Sequence, residues 1–526
     1  VDLHLIPGAI ATAEERGAVE AIVASGAAPS PDGTRRHLLL PALLAIQSRV
    51  GWVSPGALNA ICTALSVAPA DAYGVASFYH LLATTPRPRA AIHVCDDIAC
   101  RVSGAEKICA AMEREIGPQG VPGGAGGNSA WHRSPCLGLC ERGPAALVQV
   151  AGVNPKEISL APAGVEEILA EVGRNRGPSS GRSSRARASA PQTEAPRGRG
   201  LRLLRRVGLA DPGSLDSYRS HGGYEALRRA LDLGPDGVIR EIGVSKLLGR
   251  GGAAFPMGRK WEAVAKAPAR PHFLVCNADE SEPGTFKDRV LMEEDPFAVL
   301  EAMTIGGIAT GCERGYIYIR GEYPLAAERV AKAIDQSRGR GLLGSDVMGR
   351  GIAFDVEVRR GGGAYICGEE TALFNSIEGF RGEPRNKPPF PVESGLFGKP
   401  TLINNVETFV SVLDVVLEGG DAFAGIGTSG STGTKLFCLS GCVERPGLYE
   451  VPFGATLSAL IQIAGGVRGG RELKAVLLGG AAGSFVAPSQ LDIPLTFEGT
   501  RAAGTALGSG VVMLFDDTVD HEGIVL

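Results

Sequence analysis

Four cysteines are spaced for metal chemistry. Cys95 and Cys100 lie in HVCDDIACR with four residues between them, and Cys136 and Cys140 lie in SPCLGLCERGPA with three between them. Four thiolates are what a [2Fe-2S] cluster takes, two on each iron. Zinc also takes four thiolates, usually from pairs about two to four residues apart, and four unlinked buried thiols would need no metal. A second set of segments could hold a phosphorylated ligand. GRGGAAFPMGRKW, residues 249–261, is rich in glycine and carries two arginines and a lysine. It has neither Rossmann nor Walker spacing, so a plain surface turn remains open. CNADESEPGTFKDR, residues 276–289, places Asp279, Glu280, Glu282 and Asp288 in one loop after an apolar run. Carboxylates at a strand's carboxyl end bind sugar hydroxyls well, although a solvated acidic loop would read the same. RRGGGAYICGEETAL, residues 359–373, brings a glycine cluster into a helix, and PTLINNVETF, residues 400–409, places two adjacent amides at a helix start. An amide both donates and accepts, which suits a mixed edge such as that of a flavin ring.

The elements that must position these groups are legible by period. Residues 10–82 read as helices, with apolar residues at spacings of three and four, and Ser54 and Pro55 are placed to cap and start one of them. Residues 90–172 alternate: AAIHVC as a strand, AEKICAAMEREI as a helix, AALVQVAG as a strand and GVEEILAEV as a helix. Residues 218–425 run as strand–loop–helix units, so a parallel α/β sheet follows, with ligands at the carboxyl ends of its strands. Residues 433–516 form short strands (KLFCLSGCV, GLYEVP, AVLLGG, GVVMLF) around one helix, TLSALIQIAGG. Between the halves, residues 174–200 are rich in Arg, Ser, Pro and Gly without a large apolar side chain, which reads as a solvated tether. No aromatic residue interleaves its arginines, so RNA binding is disfavoured.

Composition narrows the class. The chain has 526 residues, enough for about three to five domains. Its net charge of −4 argues against a nucleic-acid or anionic-membrane partner. No run approaches the roughly 18–20 apolar residues of a membrane span, and residues 1–16 lack a signal-peptide pattern, so a cytoplasmic location is expected. Eleven cysteines in such a chain point to thiols or metal ligands over disulfides. Cys62 and Cys109 lie on apolar helix faces and read as core. Cys438 and Cys442 are four apart without a second pair, and a metal site there is not expected.

Residues 40–172 resemble the small [2Fe-2S] subunit of respiratory complex I and its relatives in NAD-linked hydrogenases and formate dehydrogenases, through AIQSRVGWVS, YGVASFYH, VCDDIAC and PCLGLCERGPA. From about residue 218 to 517, the four ligand-type segments resemble, in order, the NADH-binding flavoprotein subunit of the same complexes. The resemblance implies a multidomain α/β chain. Its parts are a helical portion at 1–89, a thioredoxin-like [2Fe-2S] domain at 90–173, a linker at 174–200, an FMN/NADH-binding domain at 201–430 and a ubiquitin-like α+β domain at 431–517. It implies that Cys95, Cys100, Cys136 and Cys140 hold the [2Fe-2S] cluster. Gly249, Arg250, Gly251, Lys260, Asn277, Asp279, Glu280, Ser281, Gly368, Glu369, Asn404, Asn405 and Thr408 fall on FMN-contact positions. Phe255, Glu282, Glu370, Lys387 and Phe390 fall on nicotinamide-dinucleotide positions, and Tyr365 and Glu280 lie beside the flavin. Hydride would pass between NADH and FMN by positioning of the two rings, with no acid or base required. A carboxylate near the adenosine ribose would favour NAD over NADP.

The chain departs from that pattern in two places. The family continues into a helical domain whose Ser-Cys-Gly-x-Cys-x-x-Cys binds a [4Fe-4S] cluster. Residues 518–526 resemble only its start, and its cysteines are absent, which reads as missing sequence. Ala263 stands where an aromatic residue often stacks on adenine. The expected role is an NADH dehydrogenase module within a larger complex whose other subunits carry further iron–sulfur clusters. A flavin-free [2Fe-2S] scaffold and a stand-alone NADH:acceptor reductase are the alternatives. Because all four cysteines precede the linker, residues 1–175 are expected to fold and bind their cluster alone.

Overall fold

The structure is a computed structural model, and it describes residues 3–25, 30, 33–124, 126–173 and 200–520. The expected linker lies, apart from Gly200, outside the described residues, as do residues 521–526.

Three sheets organise the chain. The first holds β1 (Ala90–Cys95), β2 (Ser129–Ser134), β3 (Ala146–Val150) and β4 (Lys156–Leu160) in the order β2-β1-β3-β4. The β1–β2 pair is parallel and the other pairs are antiparallel. Helices Ala105–Glu115 and Val165–Gly173 complete this unit. The second sheet is entirely parallel: β5 (His272–Ala278), β6 (Cys312–Ile319), β7 (Asp355–Arg360) and β8 (Thr401–Asn405), in the order β7-β6-β5-β8. The third is mixed and five-stranded: β9 (Thr434–Gly441), β10 (Gly447–Pro452), β11 (Leu473–Leu478), β12 (Ser484–Val486) and β13 (Val511–Asp516), in the order β10-β9-β13-β11-β12, with helix Leu457–Ile463 on its core.

Helix and strand starts follow local chemistry. The Ser54 hydroxyl accepts the Ala57 N–H at 3.0 Å and Pro55 opens helix Pro55–Leu65, as the sequence predicts. Asn405 ends β8 and caps helix Val406–Glu418, its side chain accepting the Glu407 N–H at 3.0 Å. Five strands lie outside those read from the sequence: β2, which contains His132 and Arg133, β4, β7, β8, whose segment reads as a helix start, and the short β12.

The parallel sheet is apolar on both faces, and its period of two sorts its residues between two cores. Leu274, Cys276, Ala278, Ile317, Ile319 and Leu402 point to a core filled by helix Pro296–Thr310, every residue of which is buried. Phe273, Val275, Tyr316, Tyr318 and Ile403 point the other way. There they meet Leu39, Leu43, Ile46, Ile61 and Cys62 of the N-terminal helices Leu39–Val50 and Pro55–Leu65. That core also holds Leu373, Phe374 and Ile377 of helix Glu370–Glu378, and Phe397 packs on Phe273 and Tyr316, so flavin-half segments and the N-terminal helices close this side of the sheet together. Tyr79 fixes the junction: its hydroxyl donates to Ser376 Oγ at 2.6 Å, and its ring crowds Gly362. The next two residues extend the seam, with His80 N–H on Gly363 O at 3.2 Å and Leu81 N–H on Gly362 O at 3.0 Å.

This shared core corrects the expectation that residues 1–175 fold alone, because the apolar face of their helices is buried by residues after 270. Tyr79→Ala should therefore destabilise the whole chain by about 3–5 kcal/mol, read as a shift of the urea midpoint followed by fluorescence. An unchanged midpoint would show that the N-terminal helices are not held against this sheet.

Candidate functional site

The carboxyl ends of β5 and β8 bring the expected ligand-binding segments together. Asn277 donates from Nδ2 to Gly368 O at 2.8 Å, and its Oδ1 accepts the Asp279 N–H at 3.2 Å. Ser281 Oγ donates to Asp279 Oδ2 at 2.9 Å. These bonds tie the acidic loop after β5 to the glycine cluster after β7. From the other side comes the glycine-rich loop of residues 249–255, closed by Gly249 N–H on Phe255 O at 3.0 Å. A Cβ on Gly251 would stand 3.2 Å from the Asn405 side chain, so the loop backbone lies directly over the end of β8. Lys260, on the following helix, donates to Ile403 O at 3.0 Å, and burial lowers its ammonium pKa. Burial also pushes the Asp279 carboxyl up to about 7, with Arg320 pulling it the other way.

Several candidate side chains are committed to holding this frame. Arg250 is fully buried, with its guanidinium over the Phe453 ring and Nη2 on Thr432 O at 2.7 Å. Its backbone N–H donates to Thr408 Oγ1 at 2.8 Å, which also occupies Thr408. The Glu280 carboxylate accepts the N–H groups of Asp288 and Arg289, both at 3.0 Å, at the start of helix Lys287–Glu294, and burial pushes it up to about 7. Asn404 Oδ1 accepts Trp261 Nε1–H at 3.2 Å. Asn405 donates to Asp288 Oδ2 at 2.6 Å. Glu369 caps helix Glu370–Glu378 through the Thr371 and Ala372 N–H groups, and Lys387 bridges Glu369 and Glu370 at 2.9 and 2.7 Å. The residues left open to solvent at the rim are aromatic: Phe255, Tyr365 and Phe390 are each more than half exposed. Flat exposed rings beside a polar cleft suit a stacked heterocycle.

Beneath the cleft lies a charge cluster that the sequence reading missed. Lys287 pairs with Asp288 at 2.8 Å and Glu407 at 3.1 Å, and Lys435 lies 3.6 Å from Glu407. The surrounding cations hold the Glu407 carboxyl below its ordinary range despite burial. Its Oε1 accepts the Leu436 N–H at 2.9 Å, which joins the parallel sheet to the five-stranded one.

Cys95 ends β1, Cys100 lies in the short helix Ile98–Val102 that follows, Cys136 lies in the loop after β2 and Cys140 opens the 3-10 turn Cys140–Arg142, and all four are buried. The Cys136 and Cys140 sulfurs are 3.3 Å apart. Among the described residues no three His, Cys, Asp or Glu side chains surround a single ion-sized point. Cys136 is held well below the ordinary thiol range by hydrogen bonds from Cys140 and Cys95, with help from Arg320 and the Gly138 N–H. A buried, all-sulfur donor set fits a thiolate-bound cluster.

Two buried arginines from the flavin side grip this loop. Arg289 Nε donates to Gly138 O at 2.9 Å and Nη2 pairs with Glu141 at 2.5 Å. Arg320, just past the end of β6, donates from Nη2 to Cys136 O at 2.6 Å and from Nη1 to Glu280 O at 2.7 Å. One guanidinium therefore bonds both the cysteine loop and the acidic loop. Gly138 has φ +67°, and a Cβ there would meet the Tyr323 hydroxyl at 2.1 Å, so only glycine lets the loop lie this close.

Comparison with known proteins agrees with this geometry. Residues 242–414 match the family described as Nuo51 FMN-binding domain, residues 26–172 match thioredoxin-like [2Fe-2S] ferredoxin, and residues 436–480 match the SLBB domain. An NADH-quinone oxidoreductase subunit of Rhizobium meliloti is 48% identical over 318 residues, covering 60% of this chain and 76% of that protein. The chain belongs to this NADH-oxidising flavoprotein family. The NAD-reducing hydrogenase HoxS subunit alpha of Cupriavidus necator is 36% identical over 461 residues, 86% of this chain and 73% of that one. A crystal structure of NAD+-reducing [NiFe]-hydrogenase in the H2-reduced state aligns with TM-score 0.77 and 31% identity over 93% of this chain and 78% of its own. This chain joins an FMN-binding α/β domain to a thioredoxin-like [2Fe-2S] domain, and NADH is the substrate in these families.

Arg289 also pairs with Glu293 at 2.8 Å, so removing it leaves that carboxylate without its ion-pair partner, while Glu141 keeps Arg142 at 2.9 Å. Arg289→Met should cost about 3–5 kcal/mol in thermal or urea unfolding and make the cluster easier to lose, read as iron per chain after gel filtration. Wild-type iron content and stability in this variant would count against the grip.

Proposed function

We propose that this chain is the NADH-oxidising, FMN-bearing module of a multi-subunit NAD-linked redox complex. The observation that carries the reading is the convergence, at the carboxyl ends of β5 and β8, of the glycine-rich loop, the acidic loop and the glycine cluster, in a chain of this flavoprotein family. FMN supplies the two-electron and one-electron chemistry that links NADH to iron–sulfur centres. In this reading the backbone around Gly249, Arg250 and Gly251 meets the phosphate end, with Lys260 for charge. Asn277, Asp279, Ser281 and Gly368 meet ribityl and ring polar atoms, with Asn404, Asn405, Thr408, Glu280 and Glu369 holding the frame. Phe255 and Phe390 flank the nucleotide, Lys387 and Glu370 bind its polar groups, Glu282 faces the adenosine ribose, and Tyr365 lies beside the flavin. The residues position two rings; none needs to move a proton for hydride transfer.

Cys95, Cys100, Cys136 and Cys140 hold the [2Fe-2S] cluster, and the partner subunits carry further iron–sulfur clusters. The relatives named above are subunits of NADH-quinone oxidoreductase and NAD-reducing hydrogenase. The longer match, across both halves of this chain, is to the hydrogenase subunit, which favours that type of assembly. No helix among the described residues is long and apolar enough to cross a membrane. We assign the module to the cytoplasm, where NADH is available to it.

Denaturing the reconstituted chain should release about one free flavin per polypeptide, as for a noncovalently held cofactor. NADH should then reduce an artificial acceptor only in the flavin-loaded protein. Absence of bound flavin after FMN reconstitution sinks this reading. In the same holoprotein, Cys136→Ser should abolish or shift the EPR signal of the reduced [2Fe-2S] centre, and an unaltered signal would remove Cys136 from the ligand set.

A further inference from the structure

The loop that follows β6 reads Arg320, Gly321, Glu322, and it brings a buried charge pair to the cysteine loop. Arg320 is 2% exposed and Glu322 4%. Arg320 donates from Nε to Glu322 Oε2 at 3.2 Å and from Nη2 to Oε1 at 2.9 Å. The same Nη2 donates to Cys136 O at 2.6 Å. The guanidinium, not the carboxylate, is thus the end of the pair bonded to the peptide of a cluster ligand. Burial opposes charge on Glu322, but the Arg320 guanidinium outweighs it and holds the carboxyl below its ordinary range.

Other bonds fix how Cys136 is presented. Its N–H donates to Asp97 Oδ2 at 3.2 Å, and its sulfur accepts the Gly138 N–H at 3.4 Å. Arg289 holds the Gly138 carbonyl from the flavin side at 2.9 Å. Arg289 also pairs with Glu141 and Glu293, and Arg142 pairs with Glu141, so two arginines there face two glutamates. Arg320 and Glu322 cancel in sum as well, but not in place. Their positive member is the one that touches the cysteine loop.

A [2Fe-2S] cluster gains one negative charge when it takes an electron. Its potential follows the charge around it, hydrogen bonds to its sulfurs and its exposure. A fixed positive charge nearby favours the reduced form, and a negative one the oxidised form. In a buried site such a charge acts more strongly than in water, and salt screens it little.

We propose that Arg320, supplied by the flavin half, is a positioning residue for the cluster's charge: its buried guanidinium raises the reduction potential of the [2Fe-2S] centre held by Cys95, Cys100, Cys136 and Cys140, and Glu322 tempers that effect. The proposal rests on the cluster reading above and deepens it. The readiness of the first domain's cluster to take an electron is set by a residue 184 positions away, in the domain that binds FMN.

The test uses the full chain loaded with FMN and its cluster. It is titrated with redox mediators, and the reduced cluster is followed by EPR. Glu322→Gln removes the counter-charge and should raise the reduced-to-oxidised ratio at a fixed potential on the order of tenfold, about 59 mV for a one-electron centre. Arg320→Met should lower the ratio by a similar factor, and Arg320→Lys, which keeps the charge, should recover most of that loss. The double variant Arg320→Met/Glu322→Gln leaves neither partner charged and should fall between Arg320→Met and the wild type. The shifts should persist from low to high salt, because both groups are buried. Where Arg320→Met does not hold its cluster, a rise in Glu322→Gln and a fall in the double variant still support the proposal. Unchanged potentials in those two, or shifts of the same sign as a plain disturbance of the loop would give, overturn it, and the persisting signal leaves the cluster reading intact. A reconstituted wild-type chain with no [2Fe-2S] signal overturns both.

Discussion

A parallel sheet with two apolar faces must be covered twice, and the rest of this molecule is arranged around that requirement. One cover, helix Pro296–Thr310, comes from within the flavin half and is buried along its whole length. The other is a core that helix Glu370–Glu378 shares with the N-terminal helices, which precede the [2Fe-2S] unit in the chain. The thioredoxin-like unit is therefore anchored on both sides of its own sequence. Its N-terminal neighbours are part of the flavin-side core, and its cysteine loop is gripped by Arg289 and Arg320. A tether between the halves does not make them independent bodies.

With the sheet covered, the carboxyl ends of β5 and β8 are free to carry chemistry. Many side chains there bond to other protein groups more than they face the cleft. Glu280 caps a helix, Thr408 accepts the Arg250 N–H, and Asn405 closes on Asp288. That pattern suits a site that must hold two flat rings at a fixed spacing, because every loop that could move is tied to a second element. The buried Lys287–Glu407–Lys435 set does the same at the junction with the five-stranded sheet. Removing one member would leave an uncompensated charge, so the set fixes how the two units meet.

Arg320 ties the cysteine loop to the acidic loop, because it bonds the carbonyls of Cys136 and Glu280 at once. The cysteine loop and the acidic loop thus share one guanidinium. A shift in either loop is felt by the other through a group that stays charged at every physiological pH.

Much of this was legible in the sequence. The four cysteines, the order of the ligand-type segments, the helix start at Ser54–Pro55 and the parallel α/β character of residues 218–425 follow from residue type and period alone, because those signals are local. What the sequence could not show was which segments meet. Tyr79 and Ser376 are 297 residues apart, Glu282 and Ala482 are 200 apart, and Arg289 and Gly138 are 151 apart. The last two of these contacts end on a backbone N–H, which every residue but proline offers, or a carbonyl, which every residue offers, so no side-chain pattern marks the partner. The sequence by itself determined the chemistry available and the elements that carry it. Only the tertiary structure decided that the N-terminal helices share a core with the flavin-side sheet and that a glycine–alanine turn from the last domain touches the Glu282 carboxylate, because packing of two-sided sheets and backbone hydrogen bonding act between segments that sequence order keeps apart.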